Sequence, residues 1–196
     1  MRHLKKHVEL YAAIILILLF VAGNANAQLK KATLPDSLFS TYYHQRATHF
    51  RTLPKTKNDI LFLGNSITDG AEWRELFADN QVKNRGISSD ISAGVVNRID
   101  EIALRKPAKV FLMIGINDLS RNISTDSVFK NITRIASYLK QESPSTKLYV
   151  QSILPVNDVF KKFGGHTSKI EQIKTLNANL KQNAATYNYT YINLHS

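Results

Sequence analysis

The feature that most constrains this chain is a regular alternation of short apolar runs with longer amphipathic stretches. The apolar runs are predicted strands at residues 59–64, 81–85, 109–115, 147–154 and 189–194. Hydrophobic side chains recur at helical spacing between them, which predicts helices at 87–104, 124–142 and 167–187. A further helix is expected from Asp36 or Ser37 through Arg51. This order predicts a three-layer α/β/α domain around a parallel five-stranded sheet.

The N-terminus has the pattern of an export signal. Basic residues precede an apolar run at 10–22, and Ala25-Asn26-Ala27 is a small-x-small cleavage pattern. We therefore predict a signal peptide at 1–27, a tether at 28–35 and one domain at 36–196. The alternative is an uncleaved membrane anchor, but the apolar run is shorter than the ~20 residues of a spanning helix. The predicted location is periplasmic or secreted, without stable membrane insertion after cleavage.

Composition excludes several kinds of site. The chain has no cysteine, so it has no disulfide, thiolate metal site or cysteine nucleophile. Its net charge is +11, but the basic residues are scattered, which favours a solvated basic surface over a nucleic-acid site. It lacks both the P-loop and the dinucleotide-binding glycine patterns, which disfavours a nucleotide-binding domain. No metal or organic cofactor is predicted.

Small polar turns follow three successive predicted strands. They are Gly64-Asn65-Ser66-Ile67-Thr68, Asn84-Arg85-Gly86 and Gly115-Ile116-Asn117-Asp118. In open parallel sheets, binding and reactive groups lie beyond the carboxyl ends of the strands, so the three turns are expected to converge.

The residue types in these turns suit acyl transfer. Ser66 can present a hydroxyl where a strand gives way to a helix, and Gly86 offers a backbone N–H without a side chain. The Asn117 carboxamide adds an uncharged donor for an oxyanion. A helix cap would explain Ser66 and ordinary turns would explain Gly86 and Asn117, but no one of these explains all three.

Two acidic residues near these turns are assigned structural roles. Asp69 is expected to cap the helix that contains Trp73. Asp118 is expected to support the turn that carries Asn117.

The same three turns resemble the conserved blocks of the SGNH/GDSL hydrolases. The stretch from the helix near Tyr42 through Asp59 to Trp73 is similar to bacterial acetylhydrolases related to platelet-activating-factor acetylhydrolase and to sialate O-acetylesterases. The resemblance to the family covers about residues 36–196. The resemblance implies a flavodoxin-like sheet and Ser66 as nucleophile. It also implies an oxyanion hole formed by the Ser66 and Gly86 amides and the Asn117 side chain. The implied substrate is a small acyl ester of a carbohydrate or lipid.

The family's C-terminal Asp-x-x-His block has no counterpart in this sequence. We expect a chain truncated at its C-terminus and weak activity, with a catalytically impaired carbohydrate- or ligand-binding domain as the alternative. His166 is a candidate substrate contact and a weaker candidate base, and His195 is a candidate makeshift base. His44 and His49 are expected to be surface or packing residues.

Overall fold

The computed structural model describes residues 35–195, which form a parallel five-stranded sheet flanked by helices. Residues 1–34, which include the predicted leader and nearly all of the tether, lie outside the described residues, as does Ser196. The strands are β1 Ile60–Gly64, β2 Val82–Gly86, β3 Lys109–Met113, β4 Lys147–Gln151 and β5 Thr190–Ile192. Their order is β2-β1-β3-β4-β5, and each neighbouring pair is parallel. The predicted fold class is confirmed.

The helices connect these strands in the order that the sequence pattern predicts. They are α1 Thr41–Thr52, α2 Ser66–Asp69, α3 Trp73–Phe77, α4 Ser92–Leu104, α5 Ile116–Ser120, α6 Thr125–Glu142, α7 Gly164–Thr167 and α8 Ile170–Gln182. The short helices α2, α5 and α7 directly follow a strand or its loop. They therefore place polar residues at the carboxyl edge of the sheet.

The first predicted helix begins later than expected. Asp36–Leu38 is a separate 3-10 turn, and α1 starts only at Thr41. The reason is a local cap, because the Ser40 hydroxyl accepts the Tyr43 N–H at 3.1 Å.

The helix after β2 is also shorter than predicted. Residues 87–91 form a loop, and α4 begins at Ser92. The Ser92 N–H is held by the Asp118 carboxylate at 2.9 Å, a tertiary contact that sequence periodicity does not show. This loop carries residues of the candidate site.

One face of the sheet holds the main hydrophobic core. Leu61, Leu63, Val110 and Leu112 are fully buried there, together with apolar side chains of α4, α6 and α8. Side chains alternate along a strand, so the odd and even positions face opposite layers. On the other face, Phe62 of β1 stacks on Trp73 of α3 with ring centroids 4.0 Å apart.

Candidate active site

Ser66 lies where β1 ends and α2 begins. Asn65 is buried, and its side-chain oxygen accepts the Ile67 N–H at 3.1 Å, which fixes the turn. Ser66 is the next residue and is exposed to solvent. Its N–H and hydroxyl have no hydrogen-bond partner among residues 35–195. Ser66 therefore presents a solvent-exposed hydroxyl and an unbonded N–H at the edge of the sheet.

Gly86 has a structural contact that the sequence did not reveal. Its N–H donates to the side-chain oxygen of Asn84 at 2.7 Å. The Asn84 amide also donates to the carbonyls of Thr68 and Asp69, each at 2.9 Å, and so ties β2 to α2. A Cβ at Gly86 would collide with the Asp69 backbone. The assignment of Gly86 as an oxyanion donor does not fit the structure, because this N–H is already bonded.

Ser89, in the loop after β2, has an amide without such a partner. The Ser89 N–H has no acceptor among the described residues, and the residue is exposed. Its φ is +65°, a left-handed conformation that L-residues rarely adopt. The Arg121 guanidinium holds this turn by donating to the Ser89 carbonyl at 3.0 Å. Sequence reasoning missed Ser89 because a serine gives no signal of a left-handed backbone.

Asn117 lies on α5, directly beyond β3. The preceding Gly115 has a φ of +132°, which permits the sharp entry into this helix. The Asn117 amide nitrogen donates to the Asp90 carbonyl at 2.9 Å, and its side-chain oxygen lies 3.0 Å from His166 Nε2. The nitrogen carries a second hydrogen, which remains available as a donor.

The two acidic residues singled out from the sequence have different outcomes. Asp69 does not cap the helix with Trp73, since Glu72 precedes that helix. Instead, the Asp69 carboxylate accepts the Ser88 N–H at 3.0 Å and the Tyr42 hydroxyl at 2.8 Å. The Asp118 carboxylate accepts the Ser92 N–H and hydroxyl, and so ties the turn that carries Asn117 to the start of α4.

A buried ion pair lies beneath the turn that holds Asn117. The Arg98 guanidinium donates twice to Asp90 Oδ2, at 3.1 and 2.9 Å. Burial raises the pKa of Asp90 to about 6, although Arg98 favours the charged form. Burial also raises the pKa of the Asp118 carboxyl, against the hydrogen bonds from Ser92. Both carboxyls are fully or nearly fully buried, so their role is to stabilise the loops to which they are bonded.

One cleft of about 730 Å³ brings the site residues together. Ser66, Ser89, Asn117 and His166 line it, and Gly86 is not among its lining residues. Its apolar wall is formed by Ile67, Ile116, Val156, Phe160 and Phe163. The site therefore combines a free hydroxyl and neutral donors with a hydrophobic surface.

The histidines take three different positions. His166 lies on α7 in the cleft, which agrees with its prediction as a candidate cleft residue. His195 follows β5, which is three strand positions from β1 in the sheet. His44 and His49 lie on α1, where His49 is exposed and His44 contacts the rings of Phe39 and Tyr43. Among residues 35–195 no histidine forms a hydrogen bond with Ser66.

No group of three or more His, Asp or Glu side chains between residues 35 and 195 is placed to hold a metal ion. No helix in that same range has the length and apolar character needed to cross a membrane.

Comparison with known proteins places the chain among acylhydrolases. The model of the GDSL-like Lipase/Acylhydrolase family matches residues 62–196. Platelet-activating factor acetylhydrolase IB subunit alpha2 from human and from rat is 26% identical over 121 residues, which are 59% of this chain and 52% of the relative. The chain thus spans about half the length of the curated relatives it matches.

Solved structures of other proteins share this fold. A GDSL-like lipase from Bacteroides thetaiotaomicron has a TM-score of 0.66 and 26% identity, and the match covers 77% of each chain. A variant of an acetyl-xylooligosaccharide esterase from Geobacillus Stearmophilus has a TM-score of 0.56 and 18% identity, over 72% of this chain and 79% of the other. This second likeness shows the fold alone. With the family model matching more than half of its residues, the chain belongs to the GDSL-like Lipase/Acylhydrolase family.

Proposed function

We propose that this chain hydrolyses carboxylic esters with Ser66 as the nucleophile. The observation that carries the proposal is the shared cleft, where an exposed Ser66 hydroxyl lies with the Ser89 amide and the Asn117 carboxamide. The Ser66 and Ser89 N–H groups have no acceptor among the described residues. A free hydroxyl can form a tetrahedral acyl intermediate, and unbonded amides in the same cleft can stabilise its oxyanion.

The proposed reaction has two steps. Ser66 Oγ attacks the ester carbonyl, and the resulting oxyanion accepts hydrogen bonds from the Ser66 and Ser89 N–H groups and from the Asn117 amide. The Oγ proton passes to water, and the leaving oxygen takes a proton from water as it departs as the alcohol. A water molecule then attacks the acyl group on Ser66, which releases the carboxylic acid and restores the Ser66 hydroxyl. Ser89 takes the role that the sequence assigned to Gly86, because the Ser89 N–H is free and the Gly86 N–H is bonded to Asn84.

Among the described residues, no histidine is placed to act as a general base for Ser66. His166 Nε2 is engaged with Asn117, and His195 is not among the residues that line the cleft. Without a base bonded to Ser66, we expect only the rate enhancement that an oxyanion hole and binding supply, about 10³- to 10⁴-fold over water.

The missing base contact also supports a second candidate function. A domain that keeps the cleft and its donors can bind an ester or carbohydrate without turning it over. On this alternative, ligand binding persists in the Ser66→Ala variant, and no Ser66-dependent product forms.

Hydrolysis of p-nitrophenyl acetate tests the two candidates. We expect slow release of p-nitrophenol by the wild-type chain and loss of that release in Ser66→Ala. Ser88→Ala is the matched control, since Ser88 lines the same cleft but has no proposed role. Added imidazole should raise the Ser66-dependent rate by acting as an external base. Equal rates for wild type and Ser66→Ala, with and without imidazole, would favour the binding domain.

The substrate and location are also proposals. The relatives named as acetylhydrolases favour a small acyl group, and we propose that it is carried by a carbohydrate or a lipid. The basic and apolar N-terminal pattern at residues 1–27 supports export to the periplasm or beyond. Detection of a mature N-terminus at residue 28 in exported protein would test this location.

A further inference from the structure

The loop between β4 and α7 exposes three large apolar side chains, two of which line the cleft. Val159 is 73%, Phe160 81% and Phe163 76% exposed, and Phe160 and Phe163 line the same cleft as Ser66. Ile67, the neighbour of Ser66, adds a fourth exposed apolar side chain. We call these four residues the apolar rim. Exposed apolar groups gathered at one opening mark an interaction surface.

Two lysines lie within this loop, between the two phenylalanines. Lys161 pairs with Asp158 at 2.7 Å, and both side chains are largely solvent-exposed. Lys162 lines the cleft and has no ion-pair partner among residues 35–195. The loop at 157–163 is therefore net positive on a chain whose net charge is already +11. Its charge is complementary to an anionic surface.

An apolar tip with adjacent lysines has a specific physical preference. Phe and Val side chains gain free energy by entering the boundary between headgroups and acyl chains, while lysines stay with the anionic headgroups. Lysine is depleted from protein–protein interfaces, which makes a protein partner less suitable for this loop. We propose that the apolar rim docks this chain peripherally onto an anionic lipid bilayer, with Phe160 and Phe163 inserted and Lys162 at the phosphates.

Docking in this orientation turns the cleft toward the bilayer. Phe163 packs edge-on against the His166 ring, with centroids 5.7 Å apart, so the docking loop contacts a cleft residue directly. Acyl esters held in the bilayer would then reach Ser66 without crossing water. This consequence rests on the proposed function, whereas the docking itself does not require catalysis.

The absence of cysteine from the sequence permits a local test on the full chain. A nitrobenzoxadiazole label is attached through Phe160→Cys, and in a matched control through Leu76→Cys, a position on α3 that is 71% exposed. Vesicles of phosphatidylcholine with phosphatidylglycerol should shift the emission of the Phe160 label to shorter wavelength and leave the Leu76 label unchanged. The label reports only the surroundings of residue 160. Binding of the chain to vesicles through residues 1–34 would therefore leave its emission unchanged.

Vesicle co-sedimentation measures the strength of docking. Phe160→Ser should weaken binding about tenfold, because the side chain no longer leaves water. Lys162→Gln should weaken it about fivefold at low salt and less at high salt. Leu76→Ser should have no effect.

Three results would overturn the docking proposal. The first is no emission shift at Phe160 with anionic vesicles. The second is an equal shift at Leu76. The third is a shift at Phe160 produced by acetylated xylan or by self-association of the chain instead of by vesicles.

Discussion

His166 Nε2 lies 3.0 Å from the side-chain oxygen of Asn117. A His N–H at this position donates to that oxygen, so the amide nitrogen of Asn117 is directed away from His166. The same nitrogen donates one hydrogen to the Asp90 carbonyl and keeps the other. In the proposed site, His166 is thus a positioning residue that fixes the orientation of an oxyanion donor.

Replacing His166 tests this positioning role. His166→Ala should lower the Ser66-dependent rate of p-nitrophenyl acetate hydrolysis about fivefold, since a hydrogen bond of this kind is worth about 1 kcal/mol. His166→Gln should recover most of the rate because its amide can still donate to Asn117. If His166 were a general base instead, Gln would not rescue the rate, and the pH profile of kcat would change.

Removing the Asn117 carboxamide should have a larger effect. We expect Asn117→Ala to lower the Ser66-dependent kcat by about 10²- to 10³-fold, the cost of losing one oxyanion donor. KM should change much less, because the donor bonds mainly to the transition state. Thermal unfolding of the variant provides the control for folding. An unchanged kcat in a folded variant would remove Asn117 from the site.

The buried Asp90 carboxyl should make stability depend on pH in a defined direction. Its pKa is about 6 in the folded chain against an ordinary value of 3.8, so between these values the folded state holds a proton that the unfolded state has lost. The contribution of Asp90 to the free energy of unfolding therefore falls as pH rises through this window.

Urea denaturation of wild type and Asp90→Asn across this pH range checks the sign. The free energy of unfolding of wild type minus that of the variant should decrease from pH 3.8 to about 6 and then level off. A difference that increases with pH would show that the Arg98 ion pair lowers the pKa of Asp90 instead.

Gly86 should matter for folding because of its contact with α2. Gly86→Ala introduces a methyl group against the Asp69 backbone, and overpacking of this kind costs about 1–3 kcal/mol. The expected result is a lower urea midpoint. Gly164→Ala is the matched control, since a Cβ at Gly164 meets nothing within 4 Å. Equal midpoints for the two variants would contradict the close contact.

The fold was predictable because its strands are short apolar runs closed by turn residues. Leu61, Leu63, Val110 and Leu112 lie in a buried core as their pattern indicates. Helix starts were less predictable because tertiary contacts set them. Ile87 continues the helical spacing of the following residues, but the Asp118 carboxylate caps the chain at Ser92.

The candidate site was predictable in part. Strand ends placed Ser66 and Asn117 in one cleft, since parallel strands direct their turns to the same edge. The proposed second amide donor was not predictable, because it depends on which N–H groups the fold leaves unbonded. Asn84 binds the Gly86 N–H, and the left-handed Ser89 leaves its own N–H free.

The most direct test of Ser66 as a nucleophile is reaction with a fluorophosphonate, followed by mass spectrometry of the modified peptide. We expect one adduct, located on Ser66, which forms slowly, forms faster with added imidazole and is absent from Ser66→Ala. An adduct on another residue would contradict Ser66 as the nucleophile. So would the absence of any adduct after prolonged reaction with imidazole, provided that wild type and Ser88→Ala remain folded.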